Sequence, residues 1–218
     1  MIQPATLNFL TELVENNNRE WFALNKERYE TAKSDVLAFI GELIPVLSAV
    51  DPQYPSDTPA KKCLMRIYRD IRFSKNKNPY KNNYGISFRA ANGAGPEYYL
   101  HLQPGKSYFA AGCWMPEAPD LKNIREEIDY NTSEFLEIIE AKRFTSMFSL
   151  SAEDTLKKAP KGYEPTHPQI SLLKLKSFIA SMPISDEELF KPSIVNHLKK
   201  AFEEAYPFVQ FLKRAVVQ

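Results

Sequence analysis

The hydrophobic period of this chain changes twice, and the stretch between the two changes limits the fold more than any other feature. After the loop Asp51-Pro52 and Pro55-Ser56-Asp57-Thr58-Pro59, apolar side chains recur at every second residue. Residues 63–68, 84–89, 97–102 and 107–114 read as strands from their aromatic, β-branched and alternating content. Gln103-Pro104-Gly105-Lys106 suits a tight turn, so the last two form a hairpin. An antiparallel sheet of about four strands over residues 62–114 is the simplest assembly.

Outside that stretch the period is helical. Leu7, Leu10, Leu13 and Val14 predict a helix over 5–16, and Asn17-Asn18 caps a second that opens at Arg19 and reaches Pro45, which should kink or end it. Trp21, Phe22 and Tyr29 form a stripe for packing helix on sheet. Pro116 and Pro119 then mark a return to helices over 118–129, 132–141, 169–180 and 192–215, with a loop at 160–168 and a kink at Pro207. The class is α+β, one domain over 1–218, its central sheet bracketed by N-terminal and C-terminal helices. A chain of 218 residues, 44% of them hydrophobic, can bury one substantial core.

The charge is as unevenly distributed as the hydrophobicity. Residues 61–89 hold nine Lys and Arg against Asp70 alone, a local charge of +8, so the net charge of +1 leaves −7 for the rest. A protein that coats nucleic acid indiscriminately is basic throughout, because each neutralised phosphate releases counterions. Here the charge is concentrated. If 66–73 is extended, alternation puts Arg66, Tyr68, Asp70 and Arg72 on one face and Ile67, Arg69, Ile71 and Phe73 on the other. The following Ser74-Lys75-Asn76-Lys77-Asn78-Pro79-Tyr80-Lys81 is a basic turn of the kind that closes over a ligand. Guanidinium forks with Lys and Tyr donors beside them hold oxyanions without a metal. The candidate ligand-binding set is therefore Arg66, Arg72, Arg69, Lys75, Lys77, Tyr80 and Lys81, led by Arg66 and Arg72. Arg69, on the apolar side, is expected to pair with an acid. Asp70 orients guanidiniums rather than acting as a base, since their charge lowers its pKa. Pairing of all these arginines with acids on the helices is the alternative, and both stay open.

Arg66-x-x-Arg69-Asp70-x-Arg72-Phe73 followed by Lys77-x-Pro79-Tyr80-Lys81 resembles the signature of an uncharacterised bacterial family, domain of unknown function 2461. Asn18-Arg19-Glu20-Trp21-Phe22 with Asn25-Lys26 and Tyr29, Tyr98-Tyr99-Leu100-His101-Leu102, Gly112-x-Trp114-x-Pro116, and Pro160-Lys161-Gly162-Tyr163 with His167-Pro168 are similar to the same pattern. The resemblance covers nearly the whole chain. It implies one domain and carries over no catalytic residue or substrate.

His101 shares a strand face with Glu97, Tyr99 and Gln103, which makes it a weak catalytic candidate, a structural hydrogen-bonding role being the alternative. Trp114 either stacks on a ligand or caps the core. His167 before Pro168 suits a turn, and Lys157, Lys158 and Lys161 form a second, weaker basic group. The chain has no G-x-x-x-x-G-K-[ST], no strand-linked G-x-G-x-x-G and no G-x-S-x-G. The histidines, at 101, 167 and 197, lack zinc-ligand spacing, so no metal and no cofactor is expected. Cys63 and Cys113 read as buried free thiols. No apolar run spans a bilayer and no signal region precedes the first helix, so a soluble cytoplasmic protein without a membrane partner is expected.

Three functions follow. The first is a domain, enzymatic or ligand-sensing, that holds a phosphorylated or carboxylated small molecule. The second is nucleic-acid binding through 61–89, with Tyr68, Tyr80, Tyr84 and Phe88 stacking on bases. The third is a structural or protein-interaction domain whose arginines are internally paired.

Overall fold

A computed structural model describes residues 1–89 and 95–216 of the chain. The N-terminal helical pattern folds as α1 (Pro4–Glu15), α2 (Arg19–Leu24) and α3 (Lys26–Val50). Asn18 caps α2, its side-chain oxygen accepting the Trp21 N–H at 2.8 Å. The single helix expected from Arg19 onward is interrupted at Asn25, whose side-chain amide donates back to the Trp21 carbonyl at 2.9 Å. Nor does the helix end at Pro45: α3 runs on to Val50. An interior proline costs about 3 kcal/mol, and burial of Leu43, Ile44 and Leu47 around it supplies the compensation.

A short α4 (Ala60–Cys63) takes the place of the start of the expected first strand. Residues 63–68 are not a strand. They meet the chain ahead only at two isolated antiparallel bridges, Leu64 to Ile86 and Tyr68 to Tyr80. Between those bridges four steps on one side oppose six on the other, so no continuous ladder can form. The strands are β1 (Tyr84–Phe88), β2 (Glu97–Leu102) and β3 (Ser107–Cys113), followed by α5 (Ala118–Tyr130), α6 (Thr132–Ile139), α7 (Lys142–Met147), β4 (Ser149–Leu150), α8 (Ile170–Leu173), β5 (Phe178–Ile184), α9 (Asp186–Leu189) and α10 (Ile194–Val216). The class is α+β, with one open antiparallel sheet of five strands in the order β1-β2-β3-β5-β4 and helices at both ends.

The helix expected over 169–180 is therefore corrected to one turn of α8 and then β5. Phe178, Ala180, Met182 and Ile184 are all buried, a period of two. On the β4 side the pairing reaches only Ser181 and Ala180, so the missing N–H of Pro183 costs no bond there. Gly112 of β3 has φ +127, and a Cβ there would lie 2.0 Å from the Phe178 carbonyl oxygen, so only glycine lets these backbones approach.

The chain divides into two compact units. The first comprises Met1–Phe88, Tyr99–Phe109 and Pro183–Lys200, and the second Arg89–Tyr98, Ala110–Met182 and Ala201–Gln218. In the first, α1 lies against α3, and Leu10, Leu13, Val36, Phe39 and Ile40 are buried. In the second, Phe135 packs on Phe208 and Phe211, and Tyr98 meets Phe202 edge-on. Among the described residues, no helix is long and apolar enough to cross a membrane.

Candidate functional site

The basic segment lies in the first unit and is an irregular ribbon closed by a loop. Main-chain bonds run from Met65 N–H to the Gly85 carbonyl, from Arg69 N–H to that of Pro79 and from Lys81 N–H to that of Ile67, at 2.9, 2.9 and 2.7 Å. One side is docked by Asn17, whose side-chain amide accepts from the Tyr80 N–H at 3.1 Å and donates to the Tyr80 carbonyl at 3.0 Å. The Tyr80 ring stacks on Phe22 with centroids 4.0 Å apart and planes 12° from parallel. The stripe of Trp21, Phe22 and Tyr29 thus packs with Phe9 and supports the loop.

Beyond Tyr68 the loop holds itself together. Arg69 donates to the Asn78 carbonyl at 3.1 Å and to the Ser74 hydroxyl at 3.4 Å. Lys77 donates to the Ile71 carbonyl at 3.0 Å. Arg72 forks onto Asp70 at 3.0 and 2.7 Å. That fork, the Arg72 backbone N–H and nearby Arg66 hold the Asp70 carboxyl below its ordinary range, as its orienting role requires. Phe73, expected on the apolar face, is 96% exposed at the tip, because no strand extends past the isolated bridge at Tyr68 to impose alternation.

A polar cleft of about 310 Å³ opens beside this ribbon, lined chiefly by Arg69, Asn76, Asn78, Lys81, Asn82 and Asn83. Arg69 meets no acid there, contrary to expectation; its partners are a carbonyl and a hydroxyl. Lys81 is half-buried, and burial together with the like charge of Arg66 pushes its ammonium pKa below the ordinary value. Among the described residues, no carboxylate is bonded to Arg66, Arg69 or Lys81. Of the sequence candidates, Arg69, Tyr80 and Lys81 line the cleft and Arg66 is electrostatically close to Lys81. Arg72, Lys75 and Lys77 are exposed on the loop and do not line it. The asparagines were passed over as turn residues; the doublet Asn82-Asn83 after Lys81 is the signal that could have found them.

His101 stands behind one wall. Its Nε2 lies 2.8 Å from Gln103 Oε1, and its Nδ1 lies 3.1 Å from the Tyr99 hydroxyl and 3.4 Å from Asn83 Nδ2. An amide oxygen on one side and an amide nitrogen on the other select the same tautomer: Nε2–H donates to Gln103, and Nδ1 accepts. The ring stacks on Tyr108 at 4.8 Å, and burial lowers its pKa, against a smaller opposing effect of the Gln103 hydrogen bond. A Cβ on Gly85 would sit 2.8 Å from the Tyr99 hydroxyl, so the glycine leaves room for it.

Of the aromatics expected to stack on bases, Tyr80, Tyr84 and Phe88 are buried and Tyr68 is 48% exposed. Trp114 is 71% exposed and does not cap the core. In the second unit His167 joins Asp129 at 2.9 Å and accepts the Gln169 N–H, a turn-stabilising role. Cys63 and Cys113 are buried free thiols, and burial raises the pKa of each. Among the described residues, no group of three or more His, Cys, Asp or Glu could hold a metal ion.

Fold and site together define a class: an α+β protein with an open antiparallel sheet and an amide-rich cleft lined by Arg69 and Lys81, to which no carboxylate is bonded among the described residues. Residues 5–211 match the family described as "Conserved hypothetical protein (DUF2461)", and the chain belongs to that family. No curated protein and no solved structure matches it.

Proposed function

We propose that the chain binds a small phosphorylated or carboxylated molecule in the cleft of its first unit, with Arg69 and Lys81 as the charged contacts and Arg66 adding to the field. One observation carries this reading. Arg69 and Lys81 line one cleft with no carboxylate bonded to either among the described residues. Two cations beside a cleft with no bonded carboxylate are stabilised by an anion, and guanidinium and ammonium donors supply charge-assisted hydrogen bonds to it. The internally bonded loop favours binding because little is left to order.

Thermal melting against inorganic phosphate, nucleoside monophosphates and small carboxylates tests the reading. A ligand at 100 times its Kd adds about 2.7 kcal/mol, a rise of several degrees for a chain of this length. A panel without any shift rejects it.

Single-stranded nucleic acid is a second reading, favoured by the exposure of Phe73 and Tyr68 beside Arg66, Arg72 and Lys75. It requires affinity that falls steeply with salt, measured by fluorescence anisotropy on oligonucleotides.

A further inference from the structure

The hydrogen-bond polarity of the cleft wall says more about the ligand than its charge does. A site for a bare anion needs donors on every side, because an acceptor oxygen repels the lone pairs of an anionic oxygen. The Arg69 and Lys81 end meets that need. Asn76 does too, since its Oδ1 accepts the Asn78 N–H at 2.9 Å and its Nδ2 is what remains. Asn83 is the opposite. Its Nδ2 faces His101 Nδ1, which the Gln103 contact commits to accepting, so one Asn83 N–H is engaged there and Oδ1 is an acceptor with no partner among the described residues. The amides of Asn78 and Asn82 have no side-chain partner among the described residues and can turn either way. The volume of about 310 Å³ lies at the lower limit of small-molecule sites, which run from roughly 300 to 1,000 Å³.

We infer that the ligand is a small hydroxylated anion, such as a sugar phosphate or hydroxy acid, whose charged group meets Arg69 and Lys81 while a hydroxyl or amino donor meets Asn83 Oδ1. This rests on the anion-binding reading above. His101 is then a positioning residue: it touches no ligand and holds one N–H of the Asn83 amide.

Isothermal titration of the full chain at low salt with inorganic phosphate, propyl phosphate and glycerol 3-phosphate separates the two claims. The esters share a charge and a carbon count and differ by two hydroxyls. The inference expects glycerol 3-phosphate to bind about tenfold more tightly than propyl phosphate, one well-placed hydrogen bond's worth. It also expects the gap to close in Asn83→Ala, whose folding is checked by thermal melting. Equal affinity of the two esters for the unaltered chain overturns the inference and leaves anion binding standing. A gap that persists in folded Asn83→Ala overturns the role given to Asn83. If none of the three binds and the small carboxylates of the melting panel give no shift, the anion-binding reading falls and takes this inference with it.

Discussion

Arg214 of α10 donates to the carboxylates of both Glu127 and Glu134, at 3.3 and 2.7 Å, and Arg143 faces Glu204 at 3.7 Å. Arg69 of the basic ribbon donates instead to a carbonyl and a hydroxyl, and Arg66 and Lys81 nearby have no bonded carboxylate among the described residues. Both arginines are held by hydrogen bonds, but only the second-unit one has its charge neutralised from within the chain. The difference teaches which cations to examine for a ligand. An arginine between two glutamates is electrostatically complete, whereas one whose partners are neutral keeps its charge for whatever enters the cleft.

The largest test of that contrast removes what lies beneath the ribbon. Phe22→Ala takes away the ring under Tyr80 and should cost about 3–5 kcal/mol of stability, measured by urea denaturation. A cost below 1 kcal/mol would mean that the aromatic stack does not anchor the cleft. Next in size, Arg69→Ala should weaken phosphate binding by about ten- to a hundredfold in calorimetric titration, the loss of one charge-assisted contact. Unchanged affinity there would erase the distinction between the two arginines.

A smaller effect is expected at His101. Its imidazole is held below the ordinary value of 6.5, so the unfolded chain takes up the proton more readily than the folded one. Its contribution to stability is complete above about pH 6.5 and is lost as the pH falls through that value toward the lower folded one. Melting temperatures between about pH 7 and 5 should therefore fall less steeply in His101→Gln than in the unaltered chain. Identical slopes would show that His101 is not the group responsible. The smallest effect belongs to Arg214→Ala, about 0.2–1 kcal/mol for a largely exposed pair, with phosphate affinity unchanged. A loss of affinity matching that of Arg69→Ala would break the comparison outright.

Much of the fold was legible because it depends on neighbours in the chain. β2 and the β2–β3 hairpin follow from alternation and from Pro104-Gly105, and the Asn18 cap follows from a side chain beside a helical period. The site was legible only in its composition. Arg69 was expected to pair with an acid because strand alternation was carried through to Phe73, but the segment forms only isolated bridges and the residues after the one at Tyr68 follow loop geometry. Arg72 was ranked above Arg69 on the same alternation, and the Asp70 fork holds it on the loop away from the cleft. β5 was missed because Leu172, Leu173 and Leu175 imitate a helical stripe just before the chain turns extended.

What the chain determines by itself, then, is the succession of periods, the segregation of positive charge into residues 61–89 and the family signature that runs through both. Each is a property of residues within a few positions of one another. Only the tertiary structure decided that β5 lies between β3 and β4, that Asn17 grips Tyr80 across 63 residues, and that the amides of Gln103 and Asn83 meet on the two nitrogens of His101. Those outcomes depend on which distant groups are left to satisfy a buried or half-buried partner. No local period encodes that choice, because it is made when the whole chain packs.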